Sequence, residues 1–314
     1  MLAAARLAWR MQRWELLVLI GGSLLLAVVL ALVAWQTTAT DVGLRACYES
    51  SLGAPLSADC RSLIEWGNLI TTLGQTLPSF AVGLPFVVGI LLGAPLAARE
   101  IEKRTAPIAW SLSRSRRRWL AGRLTPVTLA VAVALLVVGF ASEALLLAPR
   151  EARIGFEDYG FHGPLIAARG LAVLGIGVLV GLALGRVLPA ILVTGLVALA
   201  LLMGLYVARD QMMRAEAVWV DAPVDGSFLA MVYDSGFTDD STGKFVTYEE
   251  AFERFPEDFG PEGSWLPAGL TQVYLATPPE LYPTFVAREI VGLAAIVVVT
   301  GALAAVLVGT RRPE

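Results

Sequence analysis

The chain has 314 residues, of which 56% are hydrophobic and 16% are charged, and its formal net charge at pH 7 is −3. Soluble globular proteins carry roughly 45–50% apolar and about 25% charged residues, so this composition excludes an ordinary soluble protein and predicts a polytopic membrane protein. One histidine and the lack of a P-loop, HExxH or Ser/His/Asp pattern predict no catalytic residue, metal site or bound cofactor. No nucleic-acid partner is predicted either.

Six apolar segments predict six membrane-spanning helices, because roughly 20 apolar residues cross the hydrocarbon core. The predicted spans are 15–35, 78–98, 124–147, 165–184, 188–207 and 285–309. Lysine and arginine concentrate before the first span, between the second and third, at Arg186, and after the sixth. By the positive-inside rule these segments and both termini are cytoplasmic. The predicted fold is therefore an all-α polytopic membrane protein with both termini inside.

The first 14 residues place arginines among Trp9, Trp14 and aliphatic side chains, a pattern typical of an interfacial helix or of a plain basic tail. Residues 15–207 then carry spans one to five, 208–284 an outer domain, and 285–314 the sixth span and a cytoplasmic tail. The first outer segment, 36–77, holds the only cysteines, Cys47 and Cys60, and its residues 62–77 are suited to a short helix that leads into the membrane. Outside a bacterial membrane the two cysteines favour a disulfide, with two free thiols as the alternative.

Eight basic residues lie between positions 99 and 123, in the loop after the second span. Pro107 cannot sit inside a continuous helix, so the incoming helix is expected to stop near Arg104. Thr105 is suited to cap a new short helix, with proline tolerated in its first turn. That helix carries Ile108 and Leu112 on one face.

The run GAPLAAREIEKRT from Gly93 to Thr105, with the arginine cluster that follows, resembles the membrane subunits of type-2 ABC exporters. The likeness is closest to small stand-alone permeases of high-GC actinobacteria. It implies a cytoplasmic coupling element that docks onto a separate ATP-hydrolysing subunit, where ATP and Mg²⁺ bind. Glu100 matches the family's acid at the end of the second span, and Thr105 matches its Gly-Thr or Arg-Thr break.

Four ionisable residues lie about one turn inside the outer ends of spans: Glu143, Arg169, Arg288 and Glu289. Such charges are costly and are usually paired or face a water-filled path, although Arg288 is equally suited to reach the lipid headgroups. Because the third and fourth spans share a short outer loop, Glu143 is predicted to pair with Arg169.

The segment 208–284 contains fourteen acidic and four basic side chains. Within it, Phe237 to Val246 predicts a hairpin that turns near Ser241-Thr242-Gly243. Thr247 and Glu250 form a capping-box pattern that predicts a helix from Tyr248 to about Arg254. A mixed domain outside the membrane is expected here.

The resemblance implies a permease in a bacterial cytoplasmic membrane, not itself an enzyme, that forms a homodimer or a heterodimer with a sister permease. It would export an apolar or amphipathic substrate by alternating access, driven by two ATPase subunits. Trp110 or Ile108 is expected to enter a cleft on the ATPase, while Glu100 and Glu102 meet its basic groups or brace the loop. The alternatives are a non-transporting sensor or scaffold that displays the acidic outer loop and, least favoured, a membrane enzyme.

Overall fold

The computed structural model describes residues 2–50, 57–106, 110, 115–148, 155–221, 230–256, 267 and 269–310. Within these ranges it has four strands and seven α-helices, six of them long and one short. The helices are α1 (Leu2–Ser50), α2 (Ala58–Glu102), α3 (Arg116–Leu147), α4 (Gly163–Leu184), α5 (Val187–Ala215), α6 (Tyr248–Arg254) and α7 (Tyr282–Thr310). Short 3-10 helices cover Phe156–Phe161 and Pro279–Leu281. Six of the helices, all except α6, are long and apolar enough to cross a membrane, which confirms the predicted number of spans.

The first two helices are much longer than the spans predicted inside them. α1 has 49 residues and α2 has 45, which at 1.5 Å per residue is roughly 65–75 Å against a hydrocarbon core of about 30 Å. α1 begins at Leu2, so no break separates the predicted interfacial segment from the first span. α2 runs through Pro78, where the second span was predicted to begin.

Most of the predicted outer segment 36–77 is helical, because α1 continues to Ser50 and α2 already begins at Ala58, whereas a helix was expected only over 62–77. Residues 36–50 are polar enough to suggest a loop, but they contain no proline and a single glycine, so nothing in them interrupts a helix. Ser57 caps α2, with its Oγ accepting from the Cys60 N–H at 3.2 Å. A disulfide joins Cys47 to Cys60 across the two helices, with the Cα atoms 5.8 Å apart, as predicted.

Small residues bring α2 and α4 into backbone contact. A Cβ added to Gly93 would lie 2.6 Å from the Leu174 carbonyl oxygen, and one added to Gly177 would lie 2.8 Å from the Ala94 nitrogen. The Gly89/Gly93 and Gly177/Gly181 spacings seen in the sequence therefore meet each other in the structure, as small residues do between membrane helices.

The main apolar core contains residues of α1, α2, α3, α4 and α7 and includes the fully buried Leu30, Val131, Leu135 and Leu182. Between α4 and α5 the chain turns at Gly185, which has φ +64 and donates its N–H to the Gly181 carbonyl. Glycine is favoured at this tight turn because the backbone there is in the left-handed region.

Four antiparallel strands form one sheet in the order β1-β4-β2-β3. They are β1 (Val218–Asp221), β2 (Met231–Asp239), β3 (Phe245–Val246) and β4 (Leu270–Thr277). The predicted hairpin is confirmed, since Phe237 pairs with Val246 and the chain turns through Gly243 at φ +66. The predicted capping box of Thr247 and Glu250 is present, and α6 begins at Tyr248 and ends at Arg254 as predicted.

The described chain divides into two compact units. One comprises residues 1–152, 160–203 and 287–314 and contains the helical core. The other comprises residues 153–159 and 204–286 and contains the sheet. In the second unit, Phe237, Val246 and Leu270 on one face of the sheet pack with Ala251 of α6 around a small apolar core.

Candidate functional site

The last turn of α2 contacts three other helices through charged side chains. Arg99 forms an ion pair with Glu15 of α1, and Glu100 forms one with Arg123 of α3. Glu102 Oε2 accepts a hydrogen bond from the Val187 N–H at the start of α5, at 2.9 Å. We call Arg99, Glu100 and Glu102 the α2 hub, since together they link the end of α2 to α1, α3 and α5.

The three contacts of the α2 hub differ in burial and therefore in expected strength. The Glu100 and Arg123 side chains are only 8% and 13% exposed, and removing one partner of such a pair costs about 3–5 kcal/mol. Arg99 and Glu15 are 52% and 33% exposed, and exposed pairs are worth about 0–1 kcal/mol. Glu102 satisfies one of the unpaired N–H groups at the α5 N-terminus, where a negative charge is also favourable.

The helix α2 ends in a hydrogen-bonded motif that aims the chain away from it. Arg104 has φ +58, the only described residue other than glycine with a positive φ. Its N–H donates to the Ile101 carbonyl at 3.0 Å, and the Thr105 N–H donates to the Glu100 carbonyl at 2.9 Å. This pair of bonds is a Schellman motif with Arg104 in the left-handed position usually taken by glycine. The predicted stop near Arg104 is confirmed.

Thr105 takes part in this ending, because its hydroxyl also donates to the Glu100 carbonyl at 3.3 Å. The backbone is helical at Ala106 and at Trp110, which agrees with a short helix beginning after Thr105. The predicted docking residues Ile108 and Leu112 lie outside the described residues, so their placement stays a prediction.

The prediction for Trp110 needs correction. Its side chain is 8% exposed, and its ring packs edge-on against Trp119 of α3 at a centroid distance of 6.1 Å. The Arg116 guanidinium lies 4.8 Å from the Trp110 ring and that of Arg123 lies 5.3 Å from the Trp119 ring. Trp110 therefore packs against α3 and is not an exposed anchor for a partner.

Sequence reasoning missed the residues that hold the α2 hub in place. Arg123 was counted only as part of the basic cluster, and neither Glu15 nor the Val187 N–H carries a local signal that pairs it with α2. The start of α3 did carry one, since Ser115 precedes the cluster and its Oγ accepts from the Arg118 N–H at 3.2 Å. Lys103 and Arg104 directly after α2, and Arg117 and Arg118 in the first turn of α3, are exposed.

A second charged group lies inside the helical core. Arg169 of α4 bonds Glu289 Oε1 of α7 through Nη2 at 2.7 Å and Nε at 2.9 Å, and the two side chains are 6% and 7% exposed. Arg169 Nη1 also donates to the Gly160 carbonyl at 3.3 Å. Two of the four predicted intramembrane charges thus form a buried, hydrogen-bonded pair.

The predicted pairing of Glu143 with Arg169 is wrong. Glu143 Oε2 instead accepts from the Gly163 N–H at 3.1 Å, and its Oε1 lies 3.3 Å from His162 Nδ1. Glu143 therefore satisfies the start of α4, where N–H groups lack helical partners. Matching depth on neighbouring helices did not decide the partner, because Glu289 from the distant α7 reaches Arg169. The remaining charge, Arg288, is exposed.

Within the described residues, no group of three or more His, Cys, Asp or Glu side chains is placed to hold a metal ion. The charged and small residues described above instead have a structural role, which is to connect helices. Buried ion pairs and backbone contacts fix the relative positions of helices, and exposed basic residues follow the end of α2 and lie in the first turn of α3.

Six apolar helices joined by buried polar contacts define a polytopic α-helical membrane protein. The family model described as "ABC-2 membrane transporter related" matches residues 22–209, and the chain belongs to this family. No curated protein and no solved structure matches the chain. Family membership makes the chain a permease component of an ABC transporter rather than an enzyme, one that associates with ABC ATPase subunits in a membrane. The matched region contains the whole α2 hub.

Proposed function

We propose that the chain is the membrane-spanning subunit of an ABC exporter in a bacterial cytoplasmic membrane. It works as a homodimer or with a sister permease, and it moves an apolar or amphipathic substrate by alternating access. Two separate ATPase subunits, which carry ATP and Mg²⁺, dock on the coupling segment between α2 and α3.

The observation that carries this proposal is the α2 hub. A coupling segment has to pass a displacement to several helices at once, and the last turn of α2 is bonded to α1, α3 and α5. Bistable elements joined by such contacts turn small shifts at one site into larger rearrangements. The hydrogen-bonded end of α2 at Arg104 and Thr105 supports the transmission of a displacement to α2. Backbone hydrogen bonds there fix the direction in which the chain leaves the helix.

The corrected position of Trp110 moves the docking contact to other residues. With Trp110 packed on Trp119, the apolar contribution to docking falls to Ile108 and Leu112. Lys103 and Arg104 on one side of this segment in the sequence, and Arg117 and Arg118 on the other, are exposed, and charges at the rim of an interface steer and orient a partner. The proposed partner surface is therefore an apolar cleft with acidic margins.

The test is affinity purification of the chain from membranes of its source cell, followed by mass spectrometry and ATPase assay. An exporter subunit brings down a soluble ABC ATPase in stoichiometric amount, and the variant Ile108→Asp loses both that subunit and the ATPase activity. The matched control is Phe252→Asp on α6, whose side chain is 55% exposed and which is expected to retain both.

If wild-type protein brings down no ATPase, the exporter proposal fails and the sensor or scaffold alternative gains support. If Ile108→Asp retains its ATPase while folding normally, the docking site lies elsewhere. A separate assay gives the direction of transport. If the protein exports its substrate from the cell, inverted membrane vesicles should take up a hydrophobic dye when ATP is added.

A further inference from the structure

One face of the β-sheet carries a pair of exposed aromatic rings. Paired residues of neighbouring strands project from the same face of a sheet, and the register places Trp219 in line with Leu275 and Phe245 in line with Thr238. Trp219 and Phe245 are each 46% exposed, and their ring centroids are 4.6 Å apart. Two large apolar side chains thus stand together in solvent.

A glycine makes room for this pair. Gly236 of β2 is buried, and a Cβ added there would lie 2.5 Å from the Phe245 ring. The ring therefore lies over a strand position that has no side chain. Val273, which pairs with Gly236, is 6% exposed and forms the floor of the same face. The result is a shallow apolar surface built from all four strands.

The two faces of the sheet differ in what covers them. Phe237, Val246 and Leu270 point to the other face and pack against Ala251 of α6. The ring of Tyr248 packs against that of Phe237 on the same covered face, with the ring centroids 4.7 Å apart. No described helix packs in the same way on the Trp219 and Phe245 face, which keeps both of its aromatic rings about half exposed.

Carboxylates frame the aromatic pair. Asp221 pairs in register with Val273 and Asp234 with Leu275, so both project from this face, and both are exposed. Within the described residues neither forms an ion pair with a basic side chain. Three of the four basic side chains of this segment have partners elsewhere: Arg214 binds Asp210, Arg254 lies near Asp239, and Arg209 stacks on Tyr159 and Tyr206. The fourth, Lys244, is exposed and lies next to Phe245 in the sequence.

We infer that this face, defined by Trp219, Asp221, Asp234 and Phe245, binds a cationic amphipathic polypeptide segment. Its apolar side chains lie on the two rings, where lysine or arginine also gains a cation–π contact. Its positive charges meet the two carboxylates, and the acidic segment around them speeds the encounter.

The shape of the surface favours a polypeptide over a small molecule. Small ligands are held in concave pockets that enclose most of their surface, whereas these four side chains stand on one side of a sheet. β1 is moreover an edge strand in the order β1-β4-β2-β3, and an extended peptide is able to add to such an edge through main-chain hydrogen bonds.

The inference is tested by binding of a synthetic amphipathic peptide of alternating lysine and leucine to the full chain in nanodiscs of zwitterionic lipid. A peptide with serine in place of lysine is the uncharged counterpart, and nanodiscs without protein report binding to lipid. The variant Trp219→Ala/Phe245→Ala is expected to weaken lysine-peptide binding by about tenfold or more, as truncation of aromatic hot spots does. Phe252→Ala, which removes an exposed ring from α6, is the matched control.

The variant Asp221→Asn/Asp234→Asn tests the charges without disturbing the apolar surface. It is expected to lower affinity and to flatten the dependence on salt, while Glu249→Gln/Glu253→Gln, which removes two exposed acids on α6, leaves both unchanged. Retention of helix and sheet by circular dichroism, and binding by Phe245→Tyr at the wild-type level, show that the loss is not due to unfolding.

Full-strength binding by the aromatic double variant overturns the inference, as does equal binding of the lysine and serine peptides. Binding to empty nanodiscs at the same strength assigns the interaction to lipid and also overturns it. Self-association that the aromatic variant abolishes, without peptide binding, assigns the face to a second copy of the chain. None of these assays involves an ATPase, so they fail or succeed independently of the proposed export function.

Discussion

The helices α4 and α7 are both strongly apolar, yet they occupy opposite environments. In the most apolar window of α4, 72% of residues are buried within the chain, against 17% in that of α7, although the α7 window is the more hydrophobic. Hydropathy alone therefore identifies a membrane helix without saying what it faces. In a bilayer an apolar side chain is equally satisfied by lipid and by protein.

Small residues distinguish the two helices better than hydropathy does. Gly177 and Gly181 of α4 touch the backbone of α2, whereas a Cβ on Gly292 or Gly301 of α7 would meet nothing within 4 Å. The exposed side of α7 is lined by Val291, Val298, Val299, Leu303 and Val306. We expect lipid or a second copy of the permease to cover it.

The largest expected effect comes from the one ion pair that joins these two helices. Arg169→Met leaves Glu289 buried without its partner, and we expect the free energy of unfolding to fall by about 3–5 kcal/mol. Glu289→Met should cost a similar amount, and the double variant should recover much of the loss, because no unpaired charge remains. The measurement is unfolding of the purified protein in one detergent.

Glu143→Gln is the control for this cycle. Because Glu143 bonds Gly163 and not Arg169, its effect should add to that of Arg169→Met. Additivity between the Arg169 and Glu289 substitutions, or strong coupling of Arg169 to Glu143, would contradict the pairing.

The next effect separates the packed helix from the open one. Gly177→Leu places a side chain against the backbone of α2 and should destabilise the fold by about 1–3 kcal/mol or more, as overpacking does. The matched change Gly292→Leu on α7 meets open space and should remain within about 0.5 kcal/mol of wild type. Thermal unfolding gives the stability, and size-exclusion chromatography gives the oligomeric state.

If Gly292→Leu leaves stability unchanged but dissociates an oligomer, a second copy covers α7. Equal stability of the two leucine variants would mean that burial within the chain does not distinguish α4 from α7.

Features with local signals were predictable from the sequence. Six spans follow from apolar run length, the hairpin from Ser241-Thr242-Gly243, and α6 from its capping box at Thr247. The end of α2 followed from Pro107, a local steric constraint. The disulfide followed from there being only two cysteines on one predicted side of the membrane.

Features set by distant contacts were not predictable. Arg169 has acids at comparable depth on two helices, and only the packing of α7 selects Glu289 over Glu143. Trp110 has the position of an exposed anchor, and only the contact with Trp119 buries it. The extension of α1 to Ser50 was not predicted, because the loop was inferred from the polarity of residues 36–50. Polar residues do not prevent a helix where no proline interrupts it.

A smaller effect is expected at the α2 hub, where Glu102→Ala removes the acceptor for the Val187 N–H at the start of α5. Loss of such a cap costs about 0.5–2 kcal/mol, so we expect faster amide exchange in the first turn of α5, read by mass spectrometry. Arg99→Ala, which breaks an exposed ion pair, should leave that turn unchanged. Unaltered exchange in Glu102→Ala would show that the contact does not hold α5.

The smallest expected effect concerns the turn between β2 and β3 in the sheet unit. Asp239 accepts hydrogen bonds from the Ser241 hydroxyl at 2.6 Å and the Ser241 N–H at 2.9 Å, and these lower the pKa of its carboxyl group. A carboxyl group whose folded pKa is depressed contributes stability that is present above its unfolded pKa, near 3.9, and lost as the pH falls through the folded value. We therefore expect the turn to loosen only below about pH 4.

Asp239→Asn should remove this pH dependence, and Ser241→Ala should reduce it, because the hydroxyl is the first of the groups that lower the pKa. The readout is amide exchange of residues 239–243 across that acidic range, corrected for the intrinsic effect of pH on exchange. The carboxyl group is on the surface, so solvent screening keeps the effect small, and the unfolding of the whole chain should not change. A pH profile of the turn that is the same in Asp239→Asn and wild type would mean that the hydrogen bonds from Ser241 do not stabilise it.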